Sequence, residues 1–514
     1  MIAVQARRLA VYLVLAFGAV SGGLAWWQVI DAPALAARRD NPQVIAARRS
    51  ALRGAIFDAK GQLLAASQVI DGISRRTYLD PAFSHVIGYA SLRFGTTGVE
   101  RAWDDLLTGR ADPNPLRDLL NDILAREQPP SDLTLTIDRR LQDFAAAQLG
   151  TDVGAVVAID PRTGAILAMT SSPTFDPTPI SGDPAAAVEP MQQISSQPNN
   201  PLVARDRQGR YTPGSILKVL TAAGALDAGA ITPQTTFPDQ PSEETEGFVV
   251  EGFRVLEHDL SPVTPALWAL SPALQVSSNI YFAHVGLELG GERFLEYARR
   301  FGFCRPLVIG PADRGLSVLP SYLTAEVDGD CAPFADRAEV AQAAFGQGRV
   351  DVTPVQMALL AATIANDGVV PAPYVVRDLR THAADPAAGP TDRILATYGG
   401  QGGGRAIGSQ AAAQVRSAMV DAVQGELGRL YAGSGAVSLY GVSGVATAGK
   451  TGTAERGPDQ PPHSWFIGFA PAQDGATPAI ALAVIVEGGG SGSGRAAPIG
   501  GAVMAEWLTI MAAG

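Results

Sequence analysis

Residues 211–229, YTPGSILKVLTAAGALDAG, decide how the rest of the chain is read. Pro213-Gly214 ends whatever precedes it, and an apolar run of good helix formers follows at once. The pattern predicts a helix with Ser215 in its first turn and Lys218 three residues on. That spacing puts both side chains on one face, roughly 5–6 Å apart at Cβ. A hydroxyl beside an amine at a helix N-terminus is the arrangement of an activated nucleophile. The positive end of the helix dipole also favours the anion that forms there. Taken alone, Ser-x-x-Lys also fits a capped helix with a chance lysine.

Composition sharpens the reading. Only three of the 39 basic residues are lysines: Lys60, Lys218 and Lys450. Arginine stays protonated in any protein environment, whereas lysine can lose its proton when buried or placed beside another cation. A chain so biased toward arginine is expected to keep lysine where arginine cannot serve. The length of 514 residues allows two or three domains, and 46% hydrophobic residues can fill a sizeable core. A net charge of −11 argues against a nucleic-acid partner. Cys304 and Cys331, the two cysteines, have no Cys or His neighbour at metal-ligand spacing, so no metal site is expected. They fit one disulfide in an oxidising compartment and equally two buried thiols.

Residues 9–27 carry no charge and are about long enough to cross a bilayer core, with Trp26-Trp27 at the far interface. The expected arrangement is a cytoplasmic tail (1–8), one anchor (9–27) and an extracytoplasmic body. A cleaved signal peptide with Ala34-Leu35-Ala36 as its site is the competing reading; the apolar run is longer than a usual signal core. Arg38 and Arg39 weaken the charge asymmetry. Residues 28–146 read as a polar-rich module. In it, 53–58 and 63–65 flank a Lys60-Gly61 turn as a hairpin, 112–130 resembles a hinge, 133–137 is a short alternating strand, and 139–149 has helical spacing. Residues 147–514 form the large domain. Its apolar runs 155–159 and 165–169 are joined by the turn sequence Asp160-Pro161-Arg162-Thr163-Gly164. Helices are expected from 267 through 282, over 338–366 with an interruption at Gly346-Gln347-Gly348, over 410–423 and over 500–512. Strands are expected at 448–454, 465–470 and 479–486. Strands at both ends with helices between indicate an α/β (α+β) domain with a mostly antiparallel sheet. The glycine-rich stretches 398–404 and 488–494 read as a surface loop and a plain connector.

Three elements follow one another in the large domain: Ser215-Ile216-Leu217-Lys218, Ser277-Ser278-Asn279 and Lys450-Thr451-Gly452-Thr453. Each alone is common; the ordered set is highly specific. On it the chain resembles the penicillin-binding proteins, serine D,D-transpeptidases that cross-link peptidoglycan. Arg53-Gly54-Ala55-Ile56-Phe57-Asp58 looks like the N-terminal signature of the class B, monofunctional members. Thr136-Ile137-Asp138, Thr353-Pro354-Val355-Gln356-Met357 and the run Trp465 to Pro471 are similar to further family elements. Gly88 to Arg93 through Glu100-Arg101 resembles the short penicillin-binding protein A subfamily. The stretch between Asn279 and Lys450 departs most from the family pattern.

The resemblance implies a transpeptidase-fold domain behind a smaller N-terminal module, with no cofactor. Ser215 is the expected nucleophile, Lys218 its base, and Lys450 the cation that holds Lys218 neutral. Ser277 is expected to relay a proton, and Asn279 to accept from Lys218 and donate to a substrate amide. The N–H groups of Ser215 and Thr453 would form an oxyanion hole, and Thr451 and Thr453 would hold the substrate carboxylate beside Gly452. His284 and His463 are read as structural. The partners implied are stem peptides, β-lactams, a membrane glycan polymerase and other wall-synthesis proteins. A serine β-lactamase or β-lactam sensor, a D,D-carboxypeptidase and a non-catalytic scaffold are the rival readings.

Overall fold

A computed structural model describes residues 2–30, 52–124, 128–261, 263–400, 403–432, 442–457 and 459–513. The candidate cleavage site at 34–36, Arg38, Arg39 and residues 401–402 of one glycine-rich loop lie outside them. The chain forms two units, the first being residues 1–52 with 67–75. It holds the helix Ile2–Ala25, which runs on as a π-helical turn Trp26–Ile30. Within it Arg7–Gln28 is apolar enough to span a membrane and has no buried share. An apolar helix with nothing packed on it suits lipid as its solvent.

Among its described residues the second unit contains two large sheets and four two-stranded ones. The first has six strands in the order Ile394–Thr397, Val376–Thr381, Ser131–Leu135, Ile56–Phe57, and the parts of Leu63–Ile70 and Ile73–Tyr78 outside residues 67–75. The expected hairpin is present: Ile56–Phe57 pairs antiparallel with Leu63–Ile70. Its turn is held by Asp58, whose Oδ1 accepts from Lys60 N and Gln62 N, at 2.9 and 2.7 Å. The same strand runs parallel to Ser131–Leu135, which in turn lies antiparallel to Val376–Thr381. Ser131–Leu135 is buried at every position and does not alternate as 133–137 was expected to, because it lies inside the sheet and is covered on both faces. Behind it the fully buried Glu100 accepts from Arg53, Arg76 and the Tyr78 hydroxyl. The proposed hinge contains a helix, Pro115–Ile123, started by Asn114, whose Oδ1 accepts from Leu116 N and Arg117 N.

The second sheet has five strands, all antiparallel, in the order Ala448–Ala454, His463–Ala470, Ile480–Val486, Gly154–Ile159, Ile166–Ser172. Ile480–Val486 and Gly154–Ile159, in its interior, are apolar and buried throughout because both faces are covered. Ala155, Val157, Ile159, Ala483 and Ile485 join the core that includes the helix Pro354–Ala365. Val156, Ala158, Leu482 and Val484 join the core of Arg139–Leu149 and Ala496–Ala512. The two sets alternate along each strand, as side chains on a pleat must.

Two expected helices are each two. Residues 338–366 divide into Arg337–Ala344 and Pro354–Ala365. The second starts with Thr353 as N-cap and Pro354 in the first turn. Between them Gly346 takes φ +85°, and its carbonyl accepts from Gly214 N at 3.0 Å. Residues 267–282 divide into Leu270–Val276 and Asn279–Leu289, parted by Ser277 in the left-handed region (φ +61°). Both breaks fall where the chain meets the Ser215 turn.

Candidate active site

The segment leading to Ser215 is tied down on three sides. Tyr211 exchanges backbone hydrogen bonds with Val352, at 3.0 and 2.9 Å. The Tyr211 hydroxyl donates to Glu487 Oε1 at 2.8 Å, and Trp465 Nε1 donates to Thr212 O at 3.0 Å. Gly214 then takes φ +58°, and a Cβ there would stand 2.6 Å from Thr453 O. Only glycine lets the turn lie this close to the strand Ala448–Ala454. Ser215 falls in a 3₁₀ turn, Gly214–Leu217, and the α-helix proper is Lys218–Asp227. This moves the helix start three residues past its expected place, yet residues i and i+3 eclipse in a 3₁₀ turn. Lys218 Nζ accordingly reaches Ser215 Oγ at 3.0 Å.

Lys218 is fully buried. Its Nζ also lies 2.5 Å from Ser277 O, 2.8 Å from Asn279 Oδ1 and 3.3 Å from Ser277 Oγ. Burial pulls it down from the usual lysine range to about 7, against the opposing charge of Glu257. A neutral amine has two N–H donors and one lone pair. With the donors spent on Ser277 O and Asn279 Oδ1, the lone pair is left for the Ser215 hydroxyl. Lys450, also buried, donates from Nζ to Ser277 Oγ at 2.8 Å and to Thr451 O at 3.1 Å. It too is held well below the usual range, by burial first and then by the charge of Lys218. Burial is thus the first cause at both lysines, and the repulsion between them is mutual.

The left-handed turn at Ser277 aims its hydroxyl between the two amines. Asn279 opens the next helix, with Oδ1 toward the lysine and Nδ2 donating to Leu256 O at 3.2 Å. The Leu256 carbonyl can only accept, which turns the Asn279 amide nitrogen to it and leaves Oδ1 for Lys218. Ala448–Ala454 is the outer strand of its sheet, in register Lys450↔Ile467 and Thr453↔Ser464. Alternation puts Lys450 and Gly452 on the face toward the Ser215 turn. A Cβ on Gly452 would be 2.8 Å from Pro213 O. Thr451 and Thr453 lie on the other pleat, half-buried and exposed respectively. Thr453 Oγ1 accepts from Gly492 N at 3.3 Å, so the 488–494 loop borders the site and is more than a connector.

Ser215, Lys218, Ser277, Asn279 and Lys450 therefore converge, while Thr451 and Thr453 stand at the strand's edge. His284 is sandwiched between Phe237 and Phe248, with centroids at 4.7 and 4.1 Å, and meets Glu243. His463 packs edge-on against Tyr211, and burial holds it down to about 4. Both act as packing groups. Sequence reasoning missed Glu257, a buried carboxylate that accepts from Asn279 N at 2.8 Å and Ser278 Oγ at 2.7 Å. No motif marks it; its only signal is an acid placed directly after the apolar pair Val255-Leu256.

Comparison with known proteins agrees with this geometry. Residues 154–505 match the penicillin binding protein transpeptidase domain, and residues 53–132 the penicillin binding protein A dimerisation domain. The peptidoglycan D,D-transpeptidase PbpA of Mycolicibacterium smegmatis is 36% identical over 521 residues, covering 98% of both chains. Penicillin-binding protein A from M. tuberculosis, solved as a ceftriaxone acyl-enzyme complex, superposes with a TM-score of 0.75 at 32% identity. That match covers 90% of this chain and 100% of the other. Its penicillin G acyl-enzyme complex gives 0.73 at 33% identity, with the same coverage. A match over most of the chain, a relative this similar along its whole length and a shared fold lead to one conclusion: the protein belongs to the penicillin-binding protein transpeptidase family.

Proposed function

We propose that this protein is a peptidoglycan D,D-transpeptidase that cross-links stem peptides through an acyl-enzyme on Ser215. The observation that carries the reading is the 3.0 Å approach of Lys218 Nζ to Ser215 Oγ inside a buried set of acceptors. Serine is a weak nucleophile until a base takes its proton. Ser215 Oγ attacks the carbonyl between two terminal D-alanines as its proton passes to neutral Lys218. The N–H groups of Ser215 and Thr453 receive the oxyanion. The C–N bond breaks, and the departing D-alanine amine takes a proton from Lys450 through Ser277. An acceptor amine then attacks the ester, its proton passing through Ser277 to Lys450, while Lys218 returns the first proton to the departing Ser215 oxygen. Asn279 and Gly452 line the donor peptide, and the Thr451 and Thr453 hydroxyls meet its carboxylate. No step calls for a cofactor. A β-lactam enters the same way, but its opened ring has no departing fragment, so the ester persists.

The one apolar span among the described residues, with Arg7 and Arg8 at its start, supports a cytoplasmic N-terminus with the catalytic body outside. The disulfide joining Cys304 and Cys331 fits an oxidising compartment. A membrane glycan polymerase and other wall-synthesis proteins are the partners this placement implies. We assign residues 28–146 to an N-terminal module and 147–514 to the transpeptidase domain, supported by the separate matches to 53–132 and 154–505.

Benzylpenicillin followed by mass spectrometry tests the assignment. The adduct is expected on the peptide containing Ser215; an adduct on Ser277, or none, would refute it. Repeated turnover of a chromogenic cephalosporin would mark a β-lactamase instead, and release of D-alanine without cross-linking a D,D-carboxypeptidase.

A further inference from the structure

Glu257 is buried beneath the Ser277–Asn279 turn, and both of its oxygens are used. Oε1 accepts from Asn279 N at 2.8 Å and faces His258 Nδ1 at 2.9 Å. Oε2 accepts from Ser278 Oγ at 2.7 Å and from Ile280 N at 3.2 Å. Ser278 in turn caps the helix Asn279–Leu289, accepting from Tyr281 N at 3.1 Å. A single carboxylate thus grips the first turn of the helix that carries Asn279, where the helix dipole favours an anion. The neighbouring residue Leu256 holds the Asn279 side chain through its carbonyl. We propose that Glu257 is a positioning residue for transpeptidation, fixing the Ser277–Asn279 turn around Lys218 and supplying the negative charge that Lys218 senses. This rests on the reading of Ser215 and Lys218 given above.

The charged and titratable groups around Glu257 come from several elements. His258 lies beside it in the chain. Lys218 comes from its own helix, with Lys450 behind Ser277. Glu244 comes from the helix Gln240–Glu246, where burial raises its carboxyl. His258 holds the Glu257 carboxyl down against the desolvation that would raise it, and Lys218 adds to this. Glu257 in return makes it easier for Lys218 to keep a proton. Removing the anion while keeping its shape therefore has two separable effects. The turn loosens, and Lys218 becomes neutral at lower pH.

The experiment is the second-order rate of acylation by benzylpenicillin from pH 5 to 9 for the full-length protein, Glu257→Gln and Glu257→Asp. Glu257→Gln is expected to lower the plateau about ten- to a hundredfold and to move the acid limb down by about one pH unit. Glu257→Asp keeps the charge on a shorter arm; it should lower the plateau and leave the limb in place. Glu257→Asp keeps the anion that Glu257→Gln removes, so their comparison separates the charge from the shape of the side chain. A limb that stays put in Glu257→Gln, or that moves equally in both variants, overturns the proposal, since a purely structural strut would leave it unmoved. Should Glu257→Gln fail to fold, Glu257→Asp decides: an unchanged plateau overturns the idea. Failure of the parent reading shows separately, as the wild-type protein would then form no ester at Ser215.

Discussion

Lys450 Nζ donates to Ser277 Oγ at 2.8 Å, so the two lysines of the site meet through one hydroxyl without touching. This arrangement gives them unequal tasks. On the proposed mechanism Lys218 must be neutral to serve Ser215, whereas Lys450 mainly supplies positive charge near the substrate and lends a proton to the leaving amine. Arginine keeps the charge and cannot give up the proton. Lys218→Arg is therefore expected to remove general-base catalysis, worth about 10²–10⁴-fold in acylation. Lys450→Arg should lose less. Stopped-flow acylation by penicillin, with circular dichroism as the folding check, makes the comparison. An equal or faster rate for Lys218→Arg would exclude it as the base.

The pH dependence follows from the same lysine. Its neutral form is the reactive one, and burial brings it to about 7. Acylation should rise with pH through about 7 and fall roughly tenfold per pH unit below it. A profile flat from pH 5 to 8 contradicts this. Stability carries the matching sign. Between about 7 and the ordinary lysine value of 10.5, the unfolded chain binds this proton and the folded one does not. Stability should therefore climb with pH across that window and lose the contribution to slope in Lys218→Met. Chemical denaturation at pH 7 and 9.5 reads it.

Gly346→Ala should disable the enzyme from a distance. A Cβ at Gly346 would stand 1.9 Å from Gly214 O, and the backbone there has φ +85°. Backbone against backbone leaves no flexible group to yield. The turn bearing Ser215 must shift, and a displacement of about 1 Å costs on the order of 10²-fold. Acylation kinetics and a melting curve check this; near-normal rates would show that the crossing tolerates a methyl.

Glu100→Gln probes the other end of the second unit. Glu100 is fully buried and answers both Arg53 and Arg76. Removing its charge takes the Glu100 carboxylate from buried Arg76 and leaves Arg53 with Asp104, a loss of up to about 3–5 kcal/mol. The expected outcome is a lowered melting temperature in detergent, with acylation of the folded fraction preserved. Loss of acylation in a protein that melts normally would contradict it.

The candidate reacting groups were legible because chemistry restricts them. A hydroxyl needs an amine three residues on, and a chain with so few lysines shows where amines matter. The apolar strands were legible because both their faces are buried. What stayed hidden depends on long-range approach. Ser277 breaks a helix that its neighbours favour, because Lys218 claims its carbonyl from another helix. The break at Gly346 was legible from its glycines, but its cause, the crossing of Gly214, was not. Glu257 acts through backbone N–H groups, which carry no side-chain signature. The strand Val376–Thr381 pairs with Ser131–Leu135, far earlier in the chain, and no local pattern announces that partner.

That last pairing bears on engineering by recombination. Val376–Thr381 and Ile394–Thr397 complete a sheet whose other strands come from residues 56–135. A chimera that replaces residues 53–132 with the corresponding segment of a relative, and nothing else, cuts through the middle of a hydrogen-bonded ladder. The hairpin 376–397 has to travel with the N-terminal segment for the graft to retain its native register. The natural unit of exchange in this protein is discontinuous, and a crossover placed at the boundary seen in linear sequence would divide it.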